Sequence, residues 1–125
     1  MIKYAIYDEA LKGVAIKDGF FEGWPDAPSK IKHRKILENS YKAIVAMNES
    51  NEIIGFINAV GDGVLSCYIP LLEVLKPYQG KGIGKELVRR LLLELDDLYM
   101  IDLSCDEGLV PFYEQFKMIK SNAMV

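Results

Sequence analysis

The order of apolar and polar positions divides the chain into short segments with the periods of strands and helices. Residues 2–7 predict a first strand, and the mixed segment 8–18 is expected to be helical up to Gly19. Residues 20–28 are rich in aromatic side chains and contain two prolines. Because proline interrupts regular structure, we expect an irregular connection there, which we call the aromatic loop.

The middle of the chain predicts a helix followed by an antiparallel hairpin. Ser29 is a suitable N-cap for a helix that extends to about Asn39. Residues 43–47 and 53–60 are β-branched and apolar, and a polar turn separates them. This pattern favours two antiparallel strands.

The second half predicts strand, helix and strand in succession. Residues 64–75 predict a long strand, in which Pro70 requires an edge position, a bulge or a bend. Apolar residues then recur at helical spacing, at Ile83, Leu87, Val88, Leu91, Leu92 and Leu95. Residues 98–104 predict a strand parallel to the earlier one, because a helix connects the two. A short helix at 108–117 and a last strand at 118–125 complete the prediction.

Composition narrows the class of protein. A chain of 125 residues, half of them hydrophobic, is expected to fold as one domain, 1–125. Its 15 Lys and Arg against 18 Asp and Glu give a net charge of −3, which argues against nucleic acid as a partner. The sequence contains no secretory or membrane-spanning pattern, so we expect a cytoplasmic protein without a membrane partner, with Cys67 and Cys105 reduced.

A glycine-rich segment, residues 79–85, lies between the predicted long strand and the predicted amphipathic helix and is a candidate binding site. Glycines let backbone N–H groups turn toward an anion, and a helix N-terminus adds roughly half a positive charge. The segment therefore suits a phosphate or pyrophosphate, although a tight turn without a ligand is the structural alternative. It reads Gln79, Gly80, Lys81, Gly82, Ile83, Gly84 and Lys85. The range 76–90, which contains this segment, has one acid, Glu86, and five basic residues: Lys76, Lys81, Lys85, Arg89 and Arg90.

Two common phosphate-binding motifs do not fit this segment. A Walker-type loop needs glycine at the position of Gln79 and serine or threonine at the position of Glu86. The dinucleotide motif G-x-G-x-x-G, started at Gly80 or Gly82, needs a third glycine where the chain has lysine or leucine. Both motifs are therefore excluded.

The motif Q/R-x-x-G-x-G/A does fit residues 79–84, and with it the chain resembles the GCN5-related N-acetyltransferase (GNAT) superfamily. The neighbouring strands, the helix and the later Phe-Tyr-Glu segment at 112–114 follow in that family's order, so the resemblance covers about residues 43–125. It implies a mixed α/β fold: a mostly antiparallel sheet with one splayed parallel strand pair, flanked by about four helices. Pro77 lies one position later than in many relatives, which predicts a small change in loop path.

The resemblance also implies acetyl-coenzyme A as the cofactor and assigns roles to residues. Backbone N–H groups of residues 79–84 would bind the pyrophosphate, and the strand at 72–74 would pair with the pantetheine arm. An N–H of Leu72 or Glu73 would stabilise the thioester oxygen, and Tyr113 would protonate the departing thiolate. The implied cofactor-binding set is Leu72, Glu73, Val74, Gln79, Gly80, Lys81, Gly82, Ile83, Gly84, Lys85, Phe112, Tyr113 and Phe116.

The group that accepts the proton of the amine is left open by the sequence. Glu73 adjoins the implied position of the reacting carbonyl and joins Tyr113 as a catalytic candidate. A water relay, or an amine that is already neutral in a dry pocket, would serve instead. The other side chains that remain open as the base are Glu22, Asp26, Asp62 and Tyr68.

The aromatic loop offers a candidate acceptor site. Glu22, Trp24 and Asp26 are proposed to bind the amine, because acids beside aromatic rings suit a cation. The alternative is that Phe20, Phe21 and Trp24 only anchor the loop. His33 lies among basic residues on a polar helix and is expected to be a solvated surface residue, and no metal site is predicted.

The preferred function is transfer of an acetyl group from acetyl-coenzyme A to a primary amine of a small molecule or peptide, by direct attack in a ternary complex. The alternative is a non-catalytic acyl-coenzyme A sensor or regulatory module, against which Tyr113 argues. An apolar edge at the last strand also predicts a possible homodimer.

Overall fold

The computed structural model describes residues 1–125 and contains one five-stranded sheet. The strands are β1 (Lys3–Ile6), β2 (Lys42–Met47), β3 (Ile53–Gly61), β4 (Ser66–Val74) and β5 (Met100–Leu103). The α-helices are α1 (Lys30–Asn39), α2 (Ile83–Glu94) and α3 (Val110–Glu114), with 3-10 helices at Glu9–Leu11, Lys76–Tyr78 and Glu107–Leu109. Strands β1 to β4 pair antiparallel in chain order, and β4 pairs parallel with β5. The mixed sheet with one parallel pair confirms the predicted fold class.

The sheet separates two cores, one on each face. The alternation of β2 shows this directly: Ile44 and Ala46 belong to the core that contains the buried side of α2. Val45 and Met47 belong to the other core, which contains Leu37 of α1. We call these two sides of the sheet the α2 face and the α1 face.

Local sequence signals account for the two longer helices. The Ser29 side chain accepts a hydrogen bond from the N–H of Lys32 at 3.1 Å, which confirms the predicted N-cap of α1. The predicted apolar stripe of α2 is confirmed, since its buried residues are Ile83, Leu87, Val88 and Leu91. None of the helices is long and apolar enough to cross a membrane.

The proline in β4 marks a bulge, one of the three outcomes predicted for it. Asn58 pairs with Leu71 and Val60 pairs with Tyr68, so Ile69 and Pro70 together oppose one residue of β3. Pairing between β4 and β5 also ends here, with Ile69 opposite Leu103. Beyond the bulge β4 continues without β5, which leaves one of its edges open.

Two predicted elements are wrong. Segment 8–18 forms no α-helix: it contains the one-turn 3-10 helix Glu9–Leu11, whose start is capped by Asp8, then a turn, and then an isolated bridge from Ile16 to Ile53 of β3. Residues 118–125 form no strand: they pair with no neighbour, and Ile119 and Met124 are exposed. An apolar segment needs a partner strand to bury its side chains and to pair its backbone, and this segment has none. The apolar strand edge expected there is therefore not formed.

The prediction for His33 is also wrong. Only 1% of its surface is exposed, and its ring lies 4.5 Å from that of Phe56 and about as close to those of Phe20 and Phe21. Burial lowers the pKa of His33 to about 4, so the imidazole is neutral, and its Nε2 has no hydrogen-bond partner. His33 precedes the buried Leu37 by one helical turn, which places both on the inner side of α1.

Candidate active site

The glycine-rich turn leads directly into the N-terminus of α2. Gly80 and Gly82 have φ angles of 77° and 82°, in the left-handed region that favours glycine. Gly82 is the N-cap of α2 and supplies no side-chain hydrogen bond. The first N–H groups of a helix have no partner within it, so those of Ile83, Gly84 and Lys85 are available to an anion.

The basic residues near this turn divide into two sets. Arg89 and Arg90 both donate to Glu86, at 2.7 Å and 2.6 Å, and these contacts lower the pKa of Glu86 to about 2. Lys81 lies over the ring of Tyr78, with its Nζ 5.7 Å from the centroid, and forms no ion pair. The positive charge that remains free at the turn therefore comes from lysines.

The open edge of β4 presents backbone groups beside the turn. Leu75 donates its N–H to the carbonyl of Ile54 on β3, and hydrogen-bonded pairs alternate along an antiparallel ladder. The N–H of Glu73 therefore also points toward β3, whereas those of Leu72 and Val74 point toward the open edge. Of the two residues named as donors in the sequence analysis, only Leu72 has its N–H at the open edge. The side chain of Gln79 donates to the carbonyl of Val74 at 2.8 Å, which joins this edge to the turn.

Helix α3 lies on the α2 face close to the start of α2. Phe112, Tyr113 and Phe116 all pack against the core of that face. A Cβ at Gly84 would lie 4.0 Å from Cζ of Phe112, so α3 borders the turn. Tyr113 is half-buried, and burial, with a smaller contribution from Cys105, raises its pKa. Its phenol therefore stays protonated at neutral pH and is suited to donate a proton.

The side chain of Glu73 lies on the opposite side of β4, toward the aromatic loop. Its Oε1 accepts a hydrogen bond from the backbone N–H of Phe21 at 2.7 Å, and its Oε2 has no partner in the protein. Burial raises the pKa of Glu73, and the bond from Phe21 opposes this shift only in part. A carboxylate in this state can accept a proton more readily than an exposed one.

The aromatic loop has a buried anchor and an exposed part. Phe21 is 2% exposed and, with Phe20, packs around His33 and Phe56, which anchors the loop. Trp24 is half exposed, with its ring 5.2 Å from that of Phe21. Residues 22–27 of the loop are all exposed, and they include the three predicted to bind the acceptor: Glu22, Trp24 and Asp26.

Asp62, one of the alternative bases, stabilises a turn. Its Oδ1 accepts the backbone N–H groups of Val64, Leu65 and Ser66 within the turn that precedes β4. These bonds lower the pKa of Asp62, which makes it a poorer proton acceptor.

The sequence did not indicate the contact between Glu73 and Phe21, because the two residues are 52 positions apart.

Comparison with known proteins bears on the chemistry of this arrangement. The model of the acetyltransferase (GNAT) family matches residues 14–118. A crystal structure from Deinococcus radiodurans R1, classed provisionally as an acetyltransferase, is 44% identical, with a TM-score of 0.91, and the match covers 99% of this chain and 86% of that one.

Curated relatives match over a shorter share of their own length. The histone acetyltransferase TAP1 of Glycine max is 34% identical over 105 residues, which cover 73% of this chain and 44% of that protein. An uncharacterized N-acetyltransferase, ycf52-like, of Prochlorococcus marinus is 31% identical over 97 residues, which cover 74% of this chain and 53% of that protein. The chain thus spans about half the length of the curated relatives it matches.

Proposed function

Because the chain belongs to the acetyltransferase (GNAT) family, we propose that it transfers an acetyl group from acetyl-coenzyme A to a primary amine. One observation carries the proposal: the uncapped N-terminus of α2 and the open edge of β4 meet at the glycine-rich turn. The helix N-terminus suits a phosphate group, and the open strand edge suits an extended chain that contains amides. Acetyl-coenzyme A contains both of these chemical groups.

The turn fits the pyrophosphate of coenzyme A. Gly80 and Gly82 adopt left-handed backbone angles, and a Cβ at either would meet no other atom within 4 Å, so the surface beside them is open. The first N–H groups of α2 bind phosphate oxygens there, and Lys81 and Lys85 add positive charge at the rim.

The open edge of β4 fits the pantetheine arm. The Leu72 and Val74 backbone groups extend the sheet by pairing with its amides, as an added strand does. The N–H of Leu72 then lies beside the thioester and stabilises the negative charge that develops on its oxygen. Bound acetyl-coenzyme A supplies the activated thioester.

Two side chains complete the proposed proton transfers from opposite sides of β4. Tyr113, with its raised pKa, gives a proton to the sulfur as the thiolate leaves. Glu73, through its free Oε2, takes a proton from the amine on the α1 face. Phe112 and Phe116 line the side of the site that holds Tyr113.

The exposed part of the aromatic loop is the proposed acceptor site. Glu22 and Asp26 attract an ammonium group, and the ring of Trp24 offers a face for a cation. Because one relative is named a histone acetyltransferase, a lysine peptide belongs in the first panel of amines, together with spermidine and an amino sugar.

The first experiment is thermal melting with and without acetyl-coenzyme A, since a ligand at a hundred times its Kd adds about 2.7 kcal/mol of stability. Tyr113→Phe is then expected to keep this shift and to lose thiol release with the amine panel. Tyr99→Phe, at a tyrosine that is 86% exposed, is the control.

Three results would contradict the proposal in different ways. No melting shift at millimolar cofactor means that the turn is only structural. A shift without thiol release for any amine supports the alternative of a non-catalytic acyl-coenzyme A sensor. Unchanged turnover in Tyr113→Phe removes this residue as the acid.

A further inference from the structure

Glu73 connects two parts of the protein that the proposed function places on either side of the reaction. Its backbone belongs to β4, between the two residues whose N–H groups face the open edge, and its carboxylate binds the aromatic loop. We propose that Glu73 is a positioning residue that couples the aromatic loop to β4, so that the loop responds when the cofactor-facing edge of the strand is occupied. We call the hydrogen bond between the Phe21 N–H and the Glu73 carboxylate the latch. The response to cofactor rests on the proposed function, whereas the latch does not.

The aromatic loop depends on this single polar contact. The only backbone hydrogen bond within residues 20–28 runs from the N–H of Trp24 to the carbonyl of Phe21. The bond from the Phe21 N–H to Glu73 is the one hydrogen bond that joins these residues to the rest of the protein, and they form no ion pair. Otherwise only side-chain packing holds the loop.

The contact lies at a strained position. Phe21 has a φ angle of 62°, a region that residues with a bulky side chain rarely adopt, and it persists only where the surroundings hold it. Phe21 is also buried between Phe56, Trp24 and His33. Glu73 is the direct neighbour of Phe56 across the two strands, so the carboxylate and the aromatic anchor move with the same part of the sheet.

The alternation of β4 explains how occupation of its edge can reach the loop. The N–H groups of Leu72 and Val74 face the open edge, and the side chain between them faces the loop. A ligand that pairs with the edge as an added strand restrains the backbone at these positions. This restraint passes to the carboxylate of Glu73 and through the bond to Phe21, and then through ring contact to Trp24.

The chain offers matched variants and unique reporters for a test. Glu73→Gln keeps a side-chain oxygen of the same reach for the Phe21 N–H but cannot act as a base, and Glu73→Met keeps the length without the oxygen. Trp24 is the only tryptophan and reports the loop by fluorescence. His33 is the only histidine, and its ring signals in NMR spectra report its packing against Phe20 and Phe21.

Without ligand, Glu73→Met is expected to speed hydrogen exchange of the Phe21 amide by at least about tenfold and to shift the His33 ring signals. Glu73→Gln is expected to retain wild-type exchange and wild-type signals. Melting curves establish that both variants are folded. Wild-type exchange and signals in Glu73→Met would overturn the latch, whether or not the protein binds acetyl-coenzyme A.

With acetyl-coenzyme A, Trp24 emission is expected to change in the wild type and in Glu73→Gln but not in Glu73→Met. The coupling is overturned if cofactor binds without affecting Trp24, or affects it equally in Glu73→Met. Failure of the proposed function looks different, because no variant then shows a melting shift while the ligand-free comparison still decides the latch. Loss of acetyl transfer in Glu73→Gln with an intact loop separates proton transfer from positioning.

Discussion

The two sides of β4 are built on different principles. On the α2 face, backbone groups at a helix N-terminus and a strand edge form the proposed cofactor site, and glycines at fixed spacing make room for it. On the α1 face, side chains of the aromatic loop form the proposed acceptor site, held by one hydrogen bond and by ring packing. A backbone site leaves little freedom to the sequence, whereas the loop can change its exposed side chains while its anchor stays in place.

The α1 face should be the part that fails first in acid. The pKa of His33 is about 4 in the folded protein against 6.5 for a free imidazole, because burial among aromatic rings disfavours the charged form. As the pH falls, His33 therefore takes up a proton in the unfolded chain before it does so in the folded protein. The stability that depends on the neutral imidazole is fully present above pH 6.5 and is lost as the pH falls toward 4. At about 1.36 kcal/mol per pKa unit, the loss is about 3 kcal/mol.

His33→Phe removes this dependence and also the unpartnered Nε2, so it should raise the free energy of unfolding by about 1 kcal/mol at pH 7. Urea unfolding of both proteins at pH 7 and pH 4 measures the two effects. An equal loss of stability in acid for wild type and variant would show that the weakness lies elsewhere than in the α1 face.

On the α2 face, a substitution that disturbs the backbone of the glycine-rich turn should weaken both stability and cofactor binding. Gly82→Val places a β-branched residue at a φ angle of 82°, which is expected to cost about 1–2 kcal/mol of stability and most of the stabilisation by acetyl-coenzyme A. Gly13→Val is the control, since a Cβ there meets no atom within 4 Å and its φ is not positive. Melting with and without cofactor compares them, and an unchanged cofactor shift in Gly82→Val would show that the turn does not bind the pyrophosphate.

Removing a basic side chain at the glycine-rich turn should have the smallest effect, and this effect should be on cofactor binding. Lys81→Ala is expected to weaken cofactor binding by about 0.5 kcal/mol, because an exposed ammonium contributes little against solvent. Arg89→Ala should change the Kd less, since Glu86 already holds that guanidinium. Calorimetric titration at low and moderate salt measures both, and a larger effect of Arg89→Ala would mean that the ion pair with Glu86 opens when cofactor binds.

Features set by nearby residues could be predicted from the sequence. The N-cap at Ser29, the stripe of α2, the hairpin and the glycine-rich turn each depend on spacing within a few residues. The bulge at Pro70 was one of three predicted outcomes, because proline cannot donate to a strand ladder.

Features set by distant contacts could not be predicted in the same way. His33 has basic neighbours in the sequence, and its burial depends on Phe56 and on the loop that folds over it. The spacing of His33 and Leu37 was the one local signal of this burial. Residues 118–125 have apolar side chains that suggested a strand, but only a partner strand turns such a segment into part of a sheet.

The bulge at Pro70 also sets the phase of β4. Before it, Cys67 and Ile69 point to the α2 face, and a strand without a bulge would send residue 73 to that same face. The extra residue inverts the alternation, so Leu72 and Val74 contact the α2-face core while Glu73 emerges beside the aromatic loop. Because of this one inserted position, every later side chain of β4 lies on the opposite face from the one it would occupy in a strand without a bulge. Glu73 therefore lies outside the apolar core of the α2 face, where its carboxylate accepts the hydrogen bond from Phe21.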